Sequence, residues 1–141
     1  MTDPASAFYI QGLQHFGKDE YAEAIAAYGK ALELKPDWTD ALHGLAMAHM
    51  RGGSIDEAIE IGKRIVELDS KDPFAHTSLS MFYQRKSQLA EEAGDEAATK
   101  KWIEIAEKEG AAARLLSWKE ELKTNPNAAP PGPAGSMDVI Q

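Results

Sequence analysis

The sequence predicts an all-α solenoid built from stacked helical hairpins, and three observations predict it. Tyr21–Pro36 (YAEAIAAYGKALELKP) returns 34 residues later, in degenerate form, as Ile55–Ser70 (IDEAIEIGKRIVELDS). Apolar residues recur at spacings of three and four throughout, the mark of one helix face. Glycine, proline and capping residues divide these runs into helix-sized pieces. Within the repeat, Glu23/Glu57, Ala24/Ala58, Ile25/Ile59, Glu33/Glu67 and Leu34/Leu68 are identical pairs. A fixed period of this size belongs to units that bury their apolar faces only by stacking on their neighbours.

Each element has its own signals. Asp3 can cap the first helix and Pro4 can open it, because the proline's missing N–H would be unpaired in the first turn anyway. Phe8, Gly12, His15 and Phe16 share one face, and Gly17-Lys18-Asp19 breaks the run. The second helix spans about Glu20 to Leu34, with Ala24, Ile25, Tyr28, Ala31 and Leu32 as its apolar stripe, and Pro36 stops it. Asp37 or Thr39 is expected to cap the third helix, which turns Ala41, Leu42, Leu45, Ala46 and His49 to the core before Gly52-Gly53. Ser54 and Glu57 have capping-box spacing and start the fourth helix, which ends near Leu68. Asp72-Pro73 opens the fifth.

The period then breaks. Ala98 and Trp102 fit the small and aromatic positions of Ala24 and Tyr28, but 74 residues on rather than 68. An extension of the fifth helix and its turn accounts for the added six. A sixth helix is expected from near Asp95 to Gly110, and a seventh, Ala111 to Leu122, as a cap with Leu115, Leu116, Trp118 and Leu122 inward. The domain is thus expected over residues 1–123, with repeats at about 5–38, 39–72 and 73–112 and a capping helix at 111–123. Residues 124–141 hold four prolines, two glycines and one charge, and are expected to be a disordered or extended tail ending on the apolar Met137, Val139 and Ile140.

Composition narrows the function classes. The net charge of -8 disfavours nucleic acid and anionic membrane surfaces, since phosphate binding needs a basic stripe. There is no cysteine, hence no disulfide, thiolate metal site or thiol nucleophile. No run approaches the ~20 apolar residues of a membrane span and the N-terminus lacks a signal-like apolar region, so a soluble cytoplasmic protein is expected.

The pattern resembles the tetratricopeptide repeat family over about 110 residues. Repeat one carries Phe8, Gly12, Ala24, Tyr28, Ala31 and Pro36 at the motif's aromatic, small and proline positions. Repeat two keeps Leu45, Ala46 and Ala58 but has Gly62 for the second aromatic and Ser70 for the proline. Repeat three keeps Leu79, Tyr83, Ala98 and Trp102. The resemblance implies a right-handed α-solenoid of three repeats plus a C-terminal capping helix, non-catalytic, with a concave groove lined by the first helix of each pair. By offset, the groove positions are Tyr9, Leu13 and Phe16; His43, Met47, Met50 and Arg51; and Phe74, Thr77, Met81, Gln84 and Arg85. The set is apolar and rich in methionine, which suits an adaptable surface for an apolar peptide or helix. The alternative is that Phe16, Met50 and Phe74 fill the spaces between repeats, and that Arg51 and Arg85 are solvated at helix ends rather than holding an acidic group of a ligand. The Lys/Asn clamp by which some members hold a C-terminal carboxylate is absent: Tyr9, Leu13, Gly44, Phe74 and Ser78 stand there.

The residues carry little other chemistry. His15 and His49, 34 apart, are expected to pack with a ring nitrogen bonded near the helix turn. His43, one turn after Asp40, has no HExxH or comparable ligand set around it. No GxSxG and no phosphate loop is present, and no cofactor or metal is expected. The function expected is a protein-interaction scaffold for a protein or peptide partner. The alternative is self-association or autoinhibition, through the tail or through exposed faces such as Trp38, giving a homo-oligomer.

Overall fold

The computed structural model describes residues 3–132, and among them forms six helices and no strand. They are α1 (Pro4–Gly17), α2 (Tyr21–Leu34), α3 (Thr39–Arg51), α4 (Ile55–Leu68), α5 (Pro73–Glu92) and α6 (Glu96–Leu122). They form two compact units, divided between Leu68 and Asp69. The first contains α1–α4 and the second α5–α6.

In the first unit α1 packs on α2, α2 on α3, and α3 on α4. Asp3 caps α1 by accepting from the Ser6 N–H at 2.9 Å and the Ser6 hydroxyl at 3.0 Å. Those two bonds, backbone first, hold the Asp3 carboxyl below its ordinary pKa. Helix interfaces need small residues for close approach, and Ala24, Ala31, Ala41, Ala46, Ala48 and Ala58 are fully buried. Tyr28, 1 % exposed, is the large group clustered with Ala24 and Ala48. Its ring lies between two glycines: a Cβ at Gly12 on α1 would fall 2.5 Å from the ring, and one at Gly44 on α3 would fall 2.7 Å from it. Only glycine fits at either place. Tyr9, Phe16, Ile25 and Leu45 complete this core.

The expected cap of α3 differs. Trp38 is the N-cap and no side chain caps it. The Asp37 carboxylate is instead taken by Arg64 of α4 at 2.8 Å, a guanidinium pairing that outcompetes a backbone N–H. The two equivalent histidines also differ. His15 Nδ1 lies 2.8 Å from Glu20 Oε1, as expected, but buried His49 Nδ1 has no partner. The residue 34 positions after Glu20 is Ser54, whose short side chain replaces the carboxylate.

In the second unit α5 and α6 form one long antiparallel-type hairpin through Gly94, which takes the left-handed conformation at φ 78°. Asp72 caps α5 through the Phe74 N–H, and Asp95 caps α6 through the Ala98 N–H, both at 3.0 Å. At 20 residues α5 is six longer than α1, which accounts for the extra residues in the third repeat. Ala75, Leu79, Phe82 and Tyr83 are buried on α5, and Ala106 and Ala113 on α6. Trp102 stacks on Tyr83 at 5.7 Å, with Lys86 and Lys101 ammonium groups 4.2 and 4.6 Å from its ring centroid.

Residues 111–122 do not form a separate seventh helix: α6 runs unbroken for 27 residues through Gly110. The segment expected to cap the stack is the C-terminal half of this helix. A lone glycine costs only about 1 kcal/mol in a helix interior, and Ala111-Ala112-Ala113 follow it as the strongest helix formers. The start of the expected tail also differs. Residues 124–132 are neither free nor extended throughout, but form turns that return toward α6. Asn125 Oδ1 accepts from the Asn127 N–H at 3.2 Å, and the Trp118 indole N–H donates to the Ala128 carbonyl at 3.0 Å. A half-buried indole needs an acceptor, and this segment supplies it. Met137, Val139 and Ile140 lie outside the described residues.

Candidate functional site

The positions expected to bind a partner divide between the units. On α1, Leu13 is exposed at 47 %, while Tyr9 and Phe16 are half-buried. The Tyr9 ring packs on Tyr28 at 5.8 Å and on Trp38 at 4.8 Å, so much of it serves the core. Burial, and then the Asp40 carboxylate, push the Tyr9 phenol above its ordinary pKa. Trp38 is correspondingly half-buried, with the Lys35 ammonium 5.0 Å over its ring, and is not the open face expected for self-association. Phe16 meets Tyr21 edge-on at 5.6 Å and carries the Arg51 guanidinium at 5.6 Å from its ring centroid. On α3, His43, Met47 and Met50 are half-buried and Arg51 is exposed.

The second unit is more open. Phe74, Thr77, Met81, Gln84 and Arg85 are all exposed, Phe74 to 57 % and Met81 to 36 %. Their spacing places them along one side of α5, opposite the buried Leu79, Phe82 and Tyr83. Three are partly engaged within the helix, Gln84 through its Nε2, which donates to Ser80 Oγ at 3.3 Å. The Thr77 hydroxyl donates to the Pro73 carbonyl at 3.0 Å, and Arg85 Nη1 donates to Gln88 at 3.2 Å and lies 4.0 Å from Glu92.

Thr77, Met81 and Gln84 also line a cleft of about 640 Å³ inside this unit. Its other walls are Ser80 on α5, Gly110, Ala113, Arg114, Ser117, Trp118 and Glu121 on α6, and Ala129 and Pro131 of the returning segment. The Ser80 hydroxyl closes the cleft floor by donating to the Ala106 carbonyl at 2.8 Å. Beside it, His76 joins the two helices: Nδ1 lies 2.8 Å from Glu109 Oε1 of α6, and Nε2 lies 3.1 Å from the Ser70 carbonyl.

The α6 side of this cleft is absent from the expected site, although a signal for it exists. Positions 110, 113, 114, 117, 118 and 121 form one helical stripe, but only if the helix is continuous through Gly110. Among the described residues, no cluster of three or more His, Cys, Asp or Glu side chains could hold a metal ion, and no helix is long and apolar enough to cross a membrane.

Comparison with known proteins agrees with this architecture. Residues 15–80 match the tetratricopeptide repeat family model. The chain is 26 % identical over 125 residues to the photosystem I assembly protein Ycf3 of Synechococcus sp. (strain CC9605), covering 86 % of this chain and 68 % of that one. It is 28 % identical over 129 residues to Ycf3 of Cyanophora paradoxa, covering 89 % and 70 %. Two solved structures of MamA superpose with TM-scores of 0.61 and 0.57 at 24 % and 26 % identity, over 90 % and 85 % of this chain. The chain spans about three fifths of their length, at 61 % and 60 %. The repeat period, the helical hairpins with small residues at their contacts, and these likenesses together mark residues 15–80 as tetratricopeptide repeats.

Proposed function

We propose that this chain is a non-catalytic protein-interaction scaffold that binds an apolar peptide or helix of a partner on the first helices of its repeats. The observation that supports it best is the open side of α5, where Phe74 and Met81 stand exposed on a helix whose other side is a packed core. Large apolar groups aligned on one helix side offer an extended or helical peptide anchor points at matching spacing. Met81 and Met47 add side chains that can repack around different apolar contours. In the first unit Leu13, Met47 and Arg51 carry the same role on α1 and α3, with Tyr9, Phe16, His43 and Met50 supporting them from half-buried positions. Ycf3 is named as an assembly protein, and a scaffold that holds a partner without chemistry is consistent with that kind of work. The proposed interaction domain covers residues 1–123, and its partner is protein rather than nucleic acid.

A photo-crosslinking amino acid placed at Met81, with the same group at exposed Glu67 of α4 as control, tests the reading in the source cell. Discrete partner adducts from position 81 and none from position 67 are expected. Adducts absent from both, or the same adducts from both, would overturn it.

A further inference from the structure

We propose that the cleft between α5 and α6 is a docking site for an extended proline-containing segment, and that its occupant is this chain's own C-terminal segment from Ala128 onward. The inference rests on reading α5 as a binding side, because the segment covers part of it. The first residues of the occupant are in place: Ala129 and Pro131 line the cleft together with Thr77, Met81 and Gln84. They are anchored by the Trp118 indole N–H, which donates to the Ala128 carbonyl at 3.0 Å.

The chemistry of the segment suits the cleft. Pro130 and Pro131 have no N–H, so beside the Met81, Ala113 and Trp118 side chains of this mixed polar and apolar cleft they strand no backbone donor. Consecutive prolines also favour the extended polyproline conformation, which reduces the entropy lost on docking. The Ala128 carbonyl, two residues before the prolines, is the acceptor, and an indole N–H is a donor suited to it. Beyond residue 132 the sequence continues for nine residues and ends with Met137, Val139 and Ile140. Nine residues reach up to ~30 Å. The α5 wall from Thr77 to Gln84 is only ~10 Å long. The segment is therefore long enough to pass the whole wall, and it carries apolar side chains to leave there. Seated, it shields Met81 from a partner, and a partner must displace it.

The test uses a labelled peptide with the sequence of residues 125–141 and two full-length chains: wild type, and a variant whose residues 125–141 are replaced by Gly and Ser at equal length. A tethered segment competes at an effective concentration near ~1 mM, so the peptide should bind the replaced variant at least about tenfold more tightly than wild type. Adding Trp118→Phe to the replaced variant keeps the ring, removes the donor and should weaken binding about fivefold. Glu67→Lys on α4, in the other unit and outside the proposed binding positions, should leave peptide affinity unchanged. Unaltered far-ultraviolet circular dichroism confirms that each variant is folded. Equal affinity for wild type and replaced variant, no binding to either, or indifference to Trp118→Phe would overturn the proposal. A dimer that disappears on tail replacement would overturn the intramolecular arrangement. Peptide binding that behaves as expected, beside a failed cross-link at position 81, would reject the external partner and leave this docking intact.

Discussion

Tyr28 and Trp102 occupy the same position of the repeat pattern in the two units, and their surroundings differ sharply. Tyr28 is sealed between Gly12 and Gly44, with Tyr9 against its ring. Trp102 is half-exposed, stacked on one face by Tyr83 and approached by two lysines. The first unit uses its aromatic as a wedge between close-packed helices. The second uses longer helices, serine-to-backbone bonds and a cleft in place of that density. A repeat position therefore specifies the kind of side chain, while the neighbouring helices decide whether it becomes core or surface.

Removing the two aromatics separates these environments most strongly. Tyr28→Ala should cost about 3–5 kcal/mol, because it empties a fully buried site that neighbouring helices cannot close. Trp102→Ala should cost about 2 kcal/mol, since much of that ring already meets water. Urea unfolding of both variants measures the difference, and equal losses would break the comparison.

Glycine-to-alanine changes should have opposite signs in the two units. Gly12→Ala and Gly44→Ala force a methyl into the Tyr28 ring and should each cost about 1–3 kcal/mol despite the gain in helix propensity. Gly110→Ala meets only the tip of Arg114 at 3.4 Å and Ser80 Oγ at 3.5 Å. It should stabilise by about 0.5–1 kcal/mol, because α6 is helical there. Loss of stability at Gly110 would show that the helix is not continuous in solution.

Alkaline pH sharpens the same contrast. Burial, and then the neighbouring Tyr9, push the Tyr28 phenol above the ordinary tyrosine range. The folded state keeps a proton that the unfolded chain releases, so this contribution is complete below about pH 10 and falls as pH rises through the folded value. Tyr28→Phe should flatten the decline in thermal midpoint above pH 10. An unchanged slope would exclude Tyr28 as its source.

The smallest effect is expected in the α1–α2 turn. Asp19 adopts a left-handed conformation at φ 62°, where its counterpart 34 residues later is Gly53 at φ 95°. Asp19→Gly should relieve backbone strain but lose the bond accepted from the Tyr21 hydroxyl at 2.8 Å. A net stabilisation of about 0.5 kcal/mol or less is expected by denaturant titration.

The parts of the structure legible in the sequence are those that recur. Ala24, Tyr28, Gly12 and Pro36 announce the hairpins because packing imposes the same residue kinds every 34 positions. The added six residues were also readable, as the offset from Tyr28 to Trp102. Gly110 was misleading because a glycine marks a helix end only when the following residues do not sustain the helix, and three alanines do. That single break hid the stripe ending at Trp118 and Glu121, and with it the cleft. The returning segment was hidden for another reason. Its composition cannot form a core, but one indole donor and two prolines are enough to seat it on a surface already built. For His49, sequence equivalence to His15 was real, while its partner depended on residue 54, where the two repeats differ.

This division of labour, support from the regular first unit and binding by the more open second, is proposed from the exposure of α5. Its most direct test is quantitative affinity capture from the source cell, with the wild type, Leu13→Glu/Met47→Glu and Phe74→Glu/Met81→Glu chains side by side. The α5 variant should lose at least about 90 % of the captured partner while the α1/α3 variant loses less, at unchanged helicity. Equal retention of partner by all three chains, or a greater loss from the α1/α3 variant, would contradict it.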